Sequence, residues 1–461
     1  MRKVNFANGR ICQNILLTAL PMLAAQLLNL LYNIVDRIYI GRIDGVGLDA
    51  LGGIGLCFPL ISLITGFTNL FGSGGAPLCS IALGEGSETK AARVMNTSAV
   101  LLIGSSLIIT VLGWMFCRPL LFLFGASSNT IQYACPYMMI YLAGTLFSMF
   151  SVGMNPFINA QGFSLVGMMS VLIGALINIG LDPVFIFVCH MGASGAALAT
   201  ILSQLVSAIF VFCFLRSKKP QLRLDFSVIR RFSWNLASQI TGLGFANFVM
   251  QLTNTLVQIA GNSLLSSFGG DLYVSVMTVV SSIRQILDTP VIAISEGASP
   301  VLSFNYGAHN GAGIRKGILI LTLMGLVYTL AAWLVILISP AFFIRIFNSD
   351  AALVKAAVPA LKIYLFGYIF QIFQFAGQTV FKSLNRKREA IFFSLFRKVM
   401  IGIPFMFILP HFFSDQVLGV FAAEPVSNVI GGLACFGCML ATILPMLRQM
   451  DLNKEYEPES V

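Results

Sequence analysis

Apolar runs of about 20 residues or more, broken by short polar stretches, follow one another along the whole chain, and each is long enough for a helix rising 1.5 Å per residue to cross ~30 Å of hydrocarbon. The pattern predicts twelve membrane-crossing helices, at about 15 to 41, 50 to 76, 96 to 117, 132 to 154, 165 to 189, 192 to 215, 236 to 265, 272 to 304, 317 to 344, 354 to 381, 390 to 413 and 418 to 447. Runs of this length imply helices and not barrel strands. An even number of crossings puts both termini on one side. The first run continues past Ala25 to Val35, beyond the apolar core of a signal peptide, so an uncleaved first span is expected.

Composition agrees: the chain is 57% hydrophobic and only 10% charged, with a mean hydropathy of +0.87. A soluble domain is about a quarter charged. Nineteen of the 28 lysines and arginines fall in breaks on the N-terminal side, five lie on the other side, and four (Arg284, Lys362, Arg397 and Lys398) lie inside the runs. Cytoplasmic loops retain basic residues, so both termini are expected in the cytoplasm, with the chain multi-pass in the inner (cytoplasmic) membrane. The net charge of +10 therefore calls for no nucleic-acid partner. The most basic stretch, "RSKKPQLRLDFSVIRR", reads as a loop facing anionic lipid. The nine cysteines sit almost wholly inside spans, and "CFGC" at 435 to 438 has no histidine or second pair beside it, so packing is expected and not a disulfide framework or metal site.

An internal repeat organises the chain. "QLLNLL" from Gln26 matches "QLTNTL" from Gln251, Pro77 and Gly84 match Pro300 and Gly307, Phe157 matches Phe381, and "GAALATILSQ" from Gly195 matches "GVFAAEPVSN" from Gly419, all at nearly one offset. Each half holds six spans, an even number, so the expected fold is all-α: two six-helix lobes related by a pseudo-two-fold axis along the membrane normal. The expected divisions are an N-terminal lobe over 1–215, a basic cytoplasmic linker over 216–234, a C-terminal lobe over 235–447 and a cytoplasmic tail over 448–461. Two lobes around a cleft suit alternating access, which makes a transporter the leading class.

An ionisable group inside a span costs at least ~2.5 kcal/mol, so each is a functional candidate. Counting from the outer ends of their spans, Asp36 lies ~8 Å deep, Asp182 ~10 Å, Thr200 ~12 Å and Asn178 ~17 Å. These four can share one level in the first lobe. Pro183 lacks an N–H and frees the carbonyl of Ile179 beside them. Such hard oxygen donors suit a small hard cation, and two neighbouring carboxylates can equally hold a proton. No Walker loop and no serine nucleophile with a base appear, so neither ATP hydrolysis nor catalysis is expected, and no cofactor beyond a coupling ion, Na⁺ or H⁺.

The motifs "ALPMLAAQLLNLLYNIVDRIYIGR", "NIGLDPVFIF" followed by "GASGAALATILSQ", and "ISEGASPVLSFNYGA" resemble the multidrug and toxic compound extrusion (MATE) family, over essentially the whole chain. The resemblance implies cation-driven export: Na⁺ or H⁺ enters as an amphipathic, often cationic, organic compound leaves. It also implies a first-lobe coupling site on Asp36, Asn178, Asp182 and Thr200. The second lobe keeps no duplicate, since Asp36 aligns with Gly261 and Asp182 with Met406. Glu424 aligns with Thr200 and stands as a secondary polar candidate. Glu296, Asp288 and Gln251 are the candidates for substrate contact, although Arg284 and Asp288, four residues apart, also read as a neutralising pair. The expected partners are small organic cations or drugs and the lipid bilayer, with the protein a monomer. The alternatives are a flippase for a lipid-linked precursor, which would want a wide basic cavity, and a non-transporting sensor or receptor, which would need neither the repeat nor the shared-depth carboxylates.

Overall fold

The computed structural model describes residues 3–7, 9–43, 52–124, 126, 130–225, 232–347 and 350–456. Part of the expected linker, 226–231, the start of the expected second span and the end of the tail lie outside the described residues. Among those described, every regular element is a helix: α1 Ile11–Gly41, α2 Phe58–Gly84, α3 Glu88–Leu123, α4 Ile131–Ala143, α5 Thr145–Ala160, α6 Ser164–Pro183, α7 Ala193–Arg216, α8 Trp234–Gly307, α9 Gly311–Ile338, α10 Pro340–Phe347, α11 Ala351–Tyr364, α12 Gln371–Ser383, α13 Lys387–Leu395, α14 Ile403–Ile408 and α15 Gln416–Tyr456.

Among the described residues nine helices are long and apolar enough to cross a membrane, or eleven if two bent pairs each count as one span. Those pairs replace the straight fourth and tenth spans expected from hydropathy. Ile131–Ala143 meets Thr145–Ala160 at 57°, and Ala351–Tyr364 meets Tyr368–Ser383 at 46°. Each break carries a glycine with no room for a side chain. A Cβ at Gly144 would run into Ile201, and one at Gly367 would lie 2.8 Å from the Pro425 carbonyl oxygen. The expected seventh span, 236 to 265, is helical but is not among the nine. Its polar residues, among them Gln239, Asn247, Gln251, Asn254 and Gln258, lower its hydropathy. It runs on to Gly270, whose φ of 67° breaks α8 into two helices.

The contacts group the chain into two compact units, one of Met1–Asn5 with Pro21–Phe248 and one of Phe6–Leu20 with Val249–Val461. Pro21 lies within α1, where the first unit resumes. The first unit is built on fully buried Leu102, Met138, Met149 and Phe157. Small residues let its backbones close together: a Cβ at Gly72 would lie 2.6 Å from the Gly153 carbonyl oxygen, so α2 and α5 meet backbone to backbone. The second unit packs around Tyr368, Phe421, Met406 and Leu361.

Candidate functional site

In the first unit the chain's fifth apolar run ends as the structure needs it to. Pro183 cannot donate an N–H, and α6 passes after it into a π-helical stretch, Val184–Val188, a form that recurs where a helix carries function. The following helix, α7, packs its first turn against that stretch, and a Cβ at Gly195 would lie 2.7 Å from the Phe185 carbonyl oxygen. This close approach brings Thr200 of α7 to Asn178 and Asp182 of α6.

Asn178 and Asp182, one turn apart, are 2% and 0% exposed. The Asn178 Nδ2 donates to Asp182 Oδ1 at 3.2 Å and reaches Thr200 Oγ1 at 3.5 Å. The Thr200 hydroxyl donates to the Ala196 carbonyl at 3.0 Å, which leaves its lone pairs turned to the cluster. Asp182 Oδ2 and Asn178 Oδ1 are buried and have no hydrogen-bond partner among the described residues. Buried polar atoms are nearly always satisfied, so these two oxygens are the kind of donor that a bound cation or proton completes. Asp36, from α1, lies within electrostatic reach of Asp182, as it does of Tyr32 and Tyr137. All four residues grouped by depth are thus brought together.

The second unit repeats the framework with different chemistry. A Cβ at Gly261 would lie 3.4 Å from Met277 and 3.9 Å from Met406, so the counterparts of Asp36 and Asp182 meet as an apolar contact. The charge sits instead at the counterpart of Thr200. Glu424, 1% exposed, takes ion pairs from Arg284, from Arg397 at 3.4 Å and from Lys398 at 3.0 Å. Arg284 also pairs with Asp288 at 3.3 Å and donates to Gln371 Oε1 at 3.0 Å, while Gln371 Nε2 donates to the other Asp288 oxygen at 2.9 Å. The guanidinium lies over the Tyr364 ring at 5.3 Å. The pairing of Arg284 with Asp288 is therefore present and forms part of a larger network.

Sequence reasoning missed that network. Arg397 and Lys398 were visible as cations inside a span, and the repeat flagged Glu424, but nothing in a linear pattern joins them. Of the remaining candidates, Gln251 is half-buried on α8 and its carbonyl accepts from Thr255 Oγ1 at 3.2 Å. Glu296 is exposed on the second helix of α8, past the Gly270 break, and interacts electrostatically with Lys382 of α12. Hydropathy had placed Lys382 in a loop. The helix extends through it to Ser383.

Comparison with known proteins accords with this fold. The family model MatE matches residues 21–184 and 247–408, one block in each half. The multidrug export protein MepA of Staphylococcus haemolyticus is 24% identical over 395 residues, covering 86% of each chain. The probable multidrug resistance protein YoeA of Bacillus subtilis is 24% identical over 439 residues, covering 90% of this chain and 91% of its own. Among solved structures, a multidrug resistance MATE family transporter of the MOP superfamily in an outward-facing conformation superposes with a TM-score of 0.90 at 22% identity, over 97% of this chain and 99% of that one. A MOP superfamily transporter from Pyrococcus furiosus, described as having a binding pocket of reverse polarity, gives the same TM-score and coverage. The fold is that of these transporters, twelve helices in two lobes. The chain belongs to the MatE family and is a multi-pass membrane transporter, not an enzyme.

Proposed function

We propose that the chain is a secondary active antiporter that exports amphipathic organic cations from the cytoplasm in exchange for Na⁺ or H⁺, with the coupling ion held by Asp36, Asn178, Asp182 and Thr200. One observation carries the reading: Asp182 Oδ2 and Asn178 Oδ1, on residues one helical turn apart, are buried without hydrogen-bond partners among the described residues, with a second carboxylate in electrostatic reach. A carboxylate in this setting gains more from a cation or proton than one in water does, because the low dielectric strengthens the attraction and hydration no longer competes. A ligand can shift a conformational equilibrium only through different affinities for the two states, so the quartet must bind its ion better in one of them. The names of the relatives MepA and YoeA support drug export. Glu296, an exposed carboxylate, and Gln251 are the substrate contacts this reading assigns; Asp288 is occupied by Arg284 and Gln371 and serves the site through them. A flippase would want cationic groups open to a pyrophosphate. Arg284, Arg397 and Lys398 are instead buried against carboxylates.

The test is uptake of a fluorescent organic cation into proteoliposomes with Na⁺ and pH gradients imposed separately. Transport driven by one gradient identifies the coupling ion, and none by either rejects antiport.

A further inference from the structure

The buried network of the second unit is out of balance. Among the described residues it holds three cationic side chains, Arg284, Arg397 and Lys398, against two carboxylates, Glu424 and Asp288. All three cations are buried. An uncompensated charge in such a place costs several kcal/mol, and a guanidinium cannot relieve it, because arginine stays protonated in proteins. Lysine can.

Geometry singles out Lys398 among the five groups. It lies in the π-helical stretch Phe396–Gly402, where the wider turn reduces the angle between neighbouring side chains, so the adjacent Arg397 and Lys398 reach the same carboxylate. Arg397 is anchored further along α15 by Asn428 Oδ1 at 2.5 Å, and its aliphatic stem crosses Gly431. Arg284 is fixed by Asp288, Gln371, Glu424 and the Tyr364 ring. Among the described residues the Lys398 ammonium donates to the two Glu424 carboxylate oxygens alone, at 3.0 and 3.2 Å, and its side chain is 10% exposed against 2% for that of Glu424. The groups facing the ammonium are Glu424 from α15, Arg397 from its own stretch and Arg284 from α8; Asp288 and the Tyr364 ring lie against Arg284, and Tyr368 interacts with Asp288.

We propose that Lys398 is a proton-exchange site of the second unit, separate from the first-unit coupling quartet, and that its loss of one proton converts the network from a net charge of +1 to neutral. The step is balanced: the N–H bond of the ammonium breaks, its electron pair remains on Nζ, and the proton passes to water. The neutral amine still donates a hydrogen bond to Glu424, so the network keeps its shape in both states. Arg284 and Arg397 then match Glu424 and Asp288 one for one. The use of this exchange in transport rests on the antiport reading; the exchange itself does not.

The test uses the purified full-length chain in detergent and follows its melting temperature across the range from about pH 6 to the ordinary lysine range near ~10.4. Wild type should show a step that Lys398→Met lacks, because the variant has no proton to exchange and a balanced network at every pH. Lys398→Arg, which preserves bulk and fixes the charge, should lack the same step. Should Lys398→Met fail to fold, the arginine variant decides alone. A Lys398→Arg profile that tracks wild type throughout, or a Lys398→Met profile that keeps the step, overturns the proposal and makes Lys398 a permanent structural cation. In proteoliposomes wild type should change its transport rate over the same pH range, and both variants should lose that change. That arm is silent if the chain is no antiporter, whereas the melting arm still reads.

Discussion

Asn178 Nδ2 donates to Asp182 Oδ1 at 3.2 Å, and that bond engages one oxygen of a buried carboxylate while leaving the other, Oδ2, without a hydrogen-bond partner among the described residues. The arrangement leaves Oδ2 available to a ligand. Asp182→Asn should keep the bulk and the membrane insertion yet abolish export driven by an ion gradient, with substrate binding still measurable. Asn178→Ala and Thr200→Ala each remove one neutral oxygen, a loss of ~1 to 3 kcal/mol, and should lower ion affinity by about 5- to 150-fold. Gradient-driven export by purified Asp182→Asn protein near the wild-type rate would remove the quartet from the mechanism.

The first-unit site was legible in the sequence because Asn178 and Asp182 are one turn apart and because helix rise converts position into depth, which places Asp36 and Thr200 at the same level without knowledge of any contact. The second-unit network was not, since Arg284, Arg397 and Glu424 are joined only by tertiary packing. Their charges looked like costs scattered along separate spans. Hydropathy also averaged over Gly144 and Gly367, where close approach to Ile201 and Pro425 bends what reads as a straight span. The apolar contact between Gly261 and Met406 shows the converse: the repeat located the second unit's counterpart of the Asp36 and Asp182 cluster and the residue types showed that its carboxylates were gone.

Glu296 and Lys382 interact across two helices, and on the proposed antiport reading this interaction would temper the attraction of Glu296 for a cationic substrate. Glu296→Gln should weaken binding of organic cations while sparing neutral compounds. Lys382→Gln should strengthen cation binding through the same carboxylate. Binding titrations with a matched cationic and neutral ligand check both, and equal effects on the two ligands would make the pair structural.

The basic loop between the halves gives a test of sidedness that requires no transport. In a background with the nine native cysteines replaced, a single cysteine introduced between 217 and 225 should react with an impermeant thiol reagent only from the cytoplasmic face. Labelling from outside intact cells would invert the orientation inferred from Lys218, Lys219 and Arg223.

Glu424 holds three cations in a buried site, so Glu424→Gln should be far more damaging than loss of any single partner. Breaking a buried ion pair from one side costs ~3 to 5 kcal/mol, because the orphaned charge remains in place. Thermal melting of the purified variant should fall sharply, whereas Asn428→Ala, which removes one neutral acceptor, should cost ~1 to 3 kcal/mol. Equal losses for the two would show that Glu424 does not organise the cluster.

Gly431 is where Arg397 gains passage to Glu424. A Cβ there would fall 2.6 Å from Arg397 Cγ and 2.8 Å from its Cβ, whereas a Cβ at Gly437, six residues along the same helix, meets nothing within 4 Å. The two glycines therefore make a controlled pair. In a helix interior alanine is favoured over glycine by ~0.5 to 1 kcal/mol, so Gly437→Ala should leave stability unchanged or raise it. Gly431→Ala carries the same backbone gain but forces the Arg397 stem aside, and overpacking of this kind costs ~1 to 3 kcal/mol. Its melting temperature should drop. Both Gly431→Ala and Glu424→Gln act through the one network, so their combined loss should be smaller than the sum of the separate losses, as expected for residues that share partners. Strict additivity would mean that the Arg397 stem passes Gly431 without its position mattering to Glu424.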